Sequence, residues 1–382
     1  MKALGSSTVL RAGALLAGSI IGVGIFGVPY VFSVAGVAPS VVLFGVVAVG
    51  VLLLHLMYGE IVERTGEHFR LAGYANTFFG RKAKVFSTTS IVMGGFAALI
   101  AYILVAADFL HILFGDIFGG SFGWVVIFWA VMTLGVAAGL RAIARVDILL
   151  TAALIVMLGA IAAVAAPHIE PVNLQTASWG KMLVPYGVIL FALIGIPAIP
   201  EVSSAIINRG RLFPVAIVVG TLVPALITLV FALAVVGVSG EATSPDAISG
   251  LRAFVGDNLV YVGAAVGLVA IVTSFLLFAI NLKETLVYDW RMNELAALLV
   301  TMGVPLMFIV LGMRNFIDAI AVAGAVFGAV DGTTIVLLHT RVRHLKHAKT
   351  KFALRLPKVV YAVLIVGLLL GGLYQLAMLA IF

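Results

Sequence analysis

The sequence predicts an all-α integral membrane protein of eleven transmembrane helices, made of two halves that each open with an interrupted span. Three observations carry this. Of 382 residues, 63% are hydrophobic and 10% charged, with a mean hydropathy of +1.24, whereas soluble domains carry about 25% charged residues. The apolar residues fall in long runs rather than the alternating ten-residue segments of an outer-membrane barrel. Two of those runs are broken at their centres by glycine and proline.

A span needs about 20 apolar residues. Such runs fall at 8–34, 40–60, 86–114, 123–140, 147–166, 184–207, 212–238, 259–286, 295–312, 316–339 and 358–381. The first contains "GSIIGVGIFGVPY" (18–30) and the sixth "FALIGIPAIPEVSS" (191–204); the others read as continuous helices. Between the second and third lies a polar linker, 61–85, with a short interfacial helix expected around "RLAGYANTFFGRK". The longest outer loop is 240–258. With the N-terminus placed in the cytoplasm, 20 of the 23 Lys and Arg fall on the cytoplasmic side and only Lys181, Arg252 and Arg314 outside. That asymmetry predicts a multi-pass protein of the cell (plasma or inner) membrane with its C-terminus outside. It also accounts for the net charge of +7 without nucleic acid. The expected partners are lipid bilayer and a solute, with no obligatory protein partner evident. The absence of cysteine removes thiolate chemistry and Cys-based metal sites.

The two interruptions occupy matching places. Gly24–Val31 laid over Gly195–Val202 aligns Gly, Ile, Pro and Val at an offset of 171. Five spans separate the two starts, so the halves enter the membrane in opposite senses. The predicted organisation is a first inverted repeat at 1–166, a second at 167–340, and a basic loop with the eleventh span at 341–382. Paired Gly/Pro-interrupted spans in corresponding positions point to a transporter binding site. Proline removes an N–H and crowds the preceding turn, and the backbone groups thereby freed survive at membrane depth only inside protein or facing a polar cavity. Amides at the start of the resumed helix suit a carboxylate, and freed carbonyls suit an ammonium. An amino acid offers both. "GVGIFG" also matches GxGxxG, but that fingerprint requires a strand and a βαβ unit, which eleven spans leave no place for. Gly18 and Gly22 form a GxxxG, which can equally serve helix packing.

"GSIIGVGIFGVPYVFSVAG" resembles the first span of the amino acid–polyamine–organocation superfamily, whose IGxGIF pattern it matches. Its continuation is similar to the amino acid/auxin permease and aromatic amino acid permease branches. "AIVTSFLLFAINLKETLVYD" (270–289) and "IGIPAIPEV" resemble spans of the tryptophan/tyrosine permease family. The resemblance implies the LeuT-like five-plus-five fold with an eleventh helix, and ion-coupled symport of aromatic or large neutral amino acids by alternating access. It places the carboxylate on the amides of Gly22, Val23 and Gly24. The ammonium falls on carbonyls around Ile20, Ile21 and 192–195, so that Ile21, Ile25 and Gly195 border the site. Tyr102, Phe191 and Phe278 become candidate walls or gates.

No cofactor is expected beyond the coupling ion. For sodium, the resemblance implies Ala270, Thr273 and Ser274 together with carbonyls at Ser19 and Gly22; the same hydroxyls can instead satisfy carbonyls of their own helix. For a proton, ionisable groups within spans are the candidates. Glu201, expected to be buried just after the span-six break, and Asp331 lead, with a structural Asp331–Lys283 ion pair as the alternative for the latter. His55 and Glu60 read as solvated at the cytoplasmic boundary. Asp108 with His111, which share a helix face, or His55 with Glu60 could form an intramembrane enzyme's acid–base pair, but no nucleophile or metal set accompanies them, so an enzyme is not expected. An uncoupled channel or sensor on the same fold is the other alternative.

Overall fold

The computed structural model describes residues 2–66, 69–139, 144–206, 212–343 and 352–381. Arg141, Arg209, Arg211 and the basic residues within 344–351, all used above for orientation, lie outside the described residues. Among the described residues every regular element is helical. In order they are α1 (Lys2–Ile20), α2 (Gly24–Ala35), α3 (Val37–Thr65), α4 (Leu71–Phe79), α5 (Arg81–Phe114), α6 (Ser121–Ala137) and α7 (Ala144–Ala165). There follow α8 (Pro171–Leu174), α9 (Tyr186–Leu193), α10 (Ile199–Ala205), α11 (Leu212–Ser239), α12 (Arg252–Val255) and α13 (Asp257–Trp290). The last are α14 (Glu294–Val310), α15 (Phe316–Val322), α16 (Gly328–Val342) and α17 (Lys358–Ile381).

Among the described residues, eight segments can cross a membrane by length and composition, α9–α10 and α15–α16 each counting as one, and the pair α1–α2, bent by 58°, makes a ninth. Helices α6 and α14 are apolar but shorter, at 17 residues each, and stand where the fourth and ninth runs were expected. The linker helix takes the form of α4, whose Tyr74 ring meets Tyr58 of α3 edge-on at 5.9 Å.

Burial separates the helices into an interior and a shell. In α5 the most apolar window is 78% buried, against 28% in α17, so α5 is the axis and α17 lies outside. Helix α5 packs along α13 and α15, while α11 packs along α1, α3 and α7.

Between α15 and α16 the chain forms one π-helical stretch, Ala323–Phe327. A wider turn of this kind is frequent at functional positions. Here it brings backbone against backbone. A Cβ on Gly324 would stand 2.0 Å from the Gly187 carbonyl oxygen and 2.7 Å from the Phe191 nitrogen of α9. Only glycine permits that approach.

Candidate functional site

The first break is short and its hydrogen-bond inventory is explicit. The last bond of α1 runs from Ile21 N–H to Ala17 O at 2.8 Å. The chain resumes with Ile25 N–H to Gly22 O and Phe26 N–H to Val23 O, both 3.2 Å. The N–H groups of Gly22, Val23 and Gly24 have no acceptor among the described residues. They stand at the N-terminus of α2, where a helix leaves its first donors unmet. Ile21 and Ile25 are buried on either side.

The second break follows α9. Ile194 is extended (φ −73°, ψ 124°), Gly195 follows at φ −126°, and Ile196–Ala198 make a 3₁₀ turn into α10. The two breaks touch. A Cβ on Gly195 would stand 2.7 Å from both Ile20 Cγ1 and Leu16 Cδ1, and one on Gly24 would stand 2.8 Å from the Ala192 Cα.

Around the first break, Gly22, Val23 and Phe26 face Tyr102 and Leu154 on α5 and α7, and Ala270, Ile271 and Ser274 on α13. The cleft is shut, with no space for a water molecule. The Tyr102 hydroxyl lies 3.2 Å from where a Cβ on Gly22 would be. Its ring packs edge-on against Phe275 at 6.3 Å and beside Phe278 at 6.5 Å. Phe191 lies elsewhere along the same seam, its ring against Gly24 and its backbone against Gly324. The structure thus gathers Gly22, Val23, Tyr102, Ala270 and Ser274 at one cleft. Gly24 and Gly195 serve the contact between the breaks. Leu154 and Phe275 had no signal in the sequence beyond being apolar.

The tryptophan/tyrosine permease family model matches residues 6–375. The chain belongs to this family. It is a multi-pass membrane permease, and the enzyme alternative gives way to transport. Two relatives cover 82% of the chain and 83% of their own length. They are the tyrosine-specific transport system 1 of Haemophilus influenzae, 22% identical over 336 residues, and glutamine transporter 2 of Aliivibrio fischeri, 26% identical over 327. Two solved structures share the LeuT-like fold. The Eremococcus coleocola manganese transporter, in complex with an aromatic bis-isothiourea compound, superposes with a TM-score of 0.68 at 15% identity, over 95% of this chain and 85% of that one. MhsT in complex with L-phenylalanine superposes with a TM-score of 0.65 at 18% identity, over 96% and 98%.

The permease treats its ionisable residues differently from expectation. Glu201 is exposed at the molecular surface where burial had been expected. Lys283 pairs with Glu294 at 2.7 Å and not with Asp331. The Oδ1 of Asp331 is buried with no partner among the described residues. Of the proposed sodium ligands, the Thr273 hydroxyl donates to the Ala270 carbonyl at 2.9 Å, the Gly22 carbonyl accepts from Ile25, and Ser19 is exposed.

His55 and Glu60 are both fully buried, 0% exposed, where solvation had been expected. Glu60 Oε1 accepts from Arg64 Nε at 2.6 Å. Its Oε2 accepts from Leu354 N–H at 2.7 Å and meets His339 Nε2 at 2.9 Å. The far nitrogen of His339 meets the Tyr361 hydroxyl at 3.0 Å, and Arg343 donates to that hydroxyl at 2.7 Å. One carboxylate thus ties α3 to α16, to α17 and to the segment preceding α17.

Proposed function

We propose that this permease carries amino acids, aromatic or large neutral, by ion-coupled symport and alternating access. The observation that carries the reading is the set of unmet amides at Gly22, Val23 and Gly24, next to the Tyr102 hydroxyl. Such donors bind a carboxylate, and the phenol adds one more polar contact. Ile21, Ile25, Phe191, Gly195 and Phe278 complete the substrate region in this reading. Relatives that carry tyrosine and glutamine support an amino acid cargo. The reading keeps the two inverted repeats, 1–166 and 167–340, with 341–382 appended, in a plasma or inner membrane with a cytoplasmic N-terminus.

The coupling ion in this reading is a proton carried by Asp331. One carboxylate oxygen of Asp331 is buried with no partner among the described residues, a position that is costly for an ionised group, and its expected partner Lys283 is already engaged by Glu294. Sodium at Ala270, Thr273 and Ser274 with Ser19 and Gly22 is the alternative, favoured by the meeting of Ala270, Ser274 and Gly22 at one cleft. Uptake of labelled tyrosine, tryptophan, leucine and glutamine into proteoliposomes, under a pH gradient and then a sodium gradient, decides both cargo and ion. Accumulation under sodium alone would move the role from Asp331 to the α13 site. Failure to accumulate or exchange any of the four would overturn the amino acid reading.

Two variants sharpen this. Asp331→Asn is expected to abolish accumulation driven by a pH gradient while retaining exchange of internal for external substrate. Gradient-driven accumulation at wild-type level in that variant would remove Asp331 from coupling. Gly22→Ala pushes a methyl group toward the Tyr102 hydroxyl, and its KM is expected to rise about tenfold, in keeping with the ~1–3 kcal/mol of local overpacking. An unchanged KM would dissociate the cleft from the substrate.

A further inference from the structure

Of the amides released at the span-six break, that of Gly195 has an acceptor from outside the backbone. Gly195 N–H donates to His55 Nε2 at 3.0 Å, across 140 residues of chain. The other ring nitrogen, Nδ1, lies 2.9 Å from Thr221 Oγ1 on α11. A backbone N–H can only donate, so Nε2 has to be bare. A neutral ring then carries its hydrogen on Nδ1 and gives it to Thr221. A protonated ring would set a second N–H against that of Gly195. On the far side, Leu16 and Ile20 of α1 crowd Gly195. No charged side chain among the described residues acts on the ring; Glu60, a little over one turn along α3, is held by Arg64, His339 and Leu354.

We propose that His55 is a positioning residue for transport: a neutral imidazole, fixed as the Nδ1–H tautomer, that pins the span-six break against span one and so sets the backbone edge facing the substrate. The inference rests on the break being part of the substrate site. It gives a physical reason for an imidazole here. A leucine would fill the space, but it would leave a buried donor unmet.

The first test is spectroscopic. Long-range ¹H–¹⁵N correlation spectra of the permease labelled at histidine, with His55→Asn identifying the resonance, should show a bare Nε2 and a protonated Nδ1 throughout about pH 5 to 8. A hydrogen on Nε2, or titration within that range, would overturn the proposal. The second test uses two polar variants of similar size. In His55→Gln the side-chain carbonyl can occupy the place of Nε2, whereas in His55→Asn it falls short. His55→Gln is expected to stay within about threefold of wild type. His55→Asn should raise the substrate KM about tenfold or more while remaining monodisperse, as expected for a buried donor left unpaired. Equal KM values for the two would overturn the positioning role. The tautomer is read without substrate, so its failure leaves the break as a substrate site; a confirmed tautomer with an unchanged KM in His55→Asn counts against the break itself.

Discussion

Replacing Gly324 by alanine is expected to destabilise the permease by at least ~3 kcal/mol, the upper end of ordinary overpacking costs. The obstructing atoms are backbone: the Gly187 carbonyl oxygen at 2.0 Å and the Phe191 nitrogen at 2.7 Å from the new methyl group. Neither can swing aside as a side chain would. The facing position is equally closed, since a Cβ on Gly187 would stand 2.4 Å from the Ala321 carbonyl oxygen. Relief requires separating α9 from the π-helical turn, which lies against the Phe191 end of the seam between the breaks. The measurement is thermal unfolding in detergent followed by intrinsic fluorescence, with size-exclusion chromatography as control. A thermal midpoint equal to wild type would show that the helices separate freely, and would remove the close contact as a structural requirement.

The second large effect is expected at Glu60. Glu60→Ala leaves the Arg64 guanidinium, the Leu354 amide and the His339 ring without their shared acceptor, at positions where the carboxylate and the imidazole are fully buried. Removing one member of a buried charged network costs ~3–5 kcal/mol, and the loss should fall on the joint between α3, α16 and α17. Glu60→Gln retains one acceptor oxygen and should cost less. The thermal midpoints should therefore fall in the order wild type, Gln, Ala. A Glu60→Ala protein as stable as wild type would mean that the network is replaced by water without loss.

These two sites mark where sequence reading reaches and where it stops. The breaks were legible because their cause is local. Gly22, Gly24, Pro197 and Pro200 disrupt the helices they belong to, whatever packs around them. The partners of the breaks were not legible. The acceptor of Gly195 N–H lies 140 residues away, and the histidine facing Glu60 lies 279 residues away. No periodicity within one span announces such a pairing, and both His55 and Glu60 look like boundary residues when α3 is read alone. Glu201 misled for a related reason. Its nearness to the break in sequence suggested burial, but in α10 it is exposed. The π-helical turn at Ala323–Phe327 is invisible in "AGAVF" except for a glycine whose necessity appears only when α9 is in place.

The shut cleft between Gly22, Tyr102, Ala270 and Ser274 bears on the half of the cycle in which nothing is carried. In the alternating-access reading proposed here, the carrier has to reorient empty as well as loaded. Under that reading, a site that closes on itself would reorient without carrying solvent or stray ions across the bilayer. Cargo bound there would have to create its own volume, and the work of separating α13 from the break would be subtracted from its apparent affinity. Leak-tightness and modest affinity would then be two consequences of one contact.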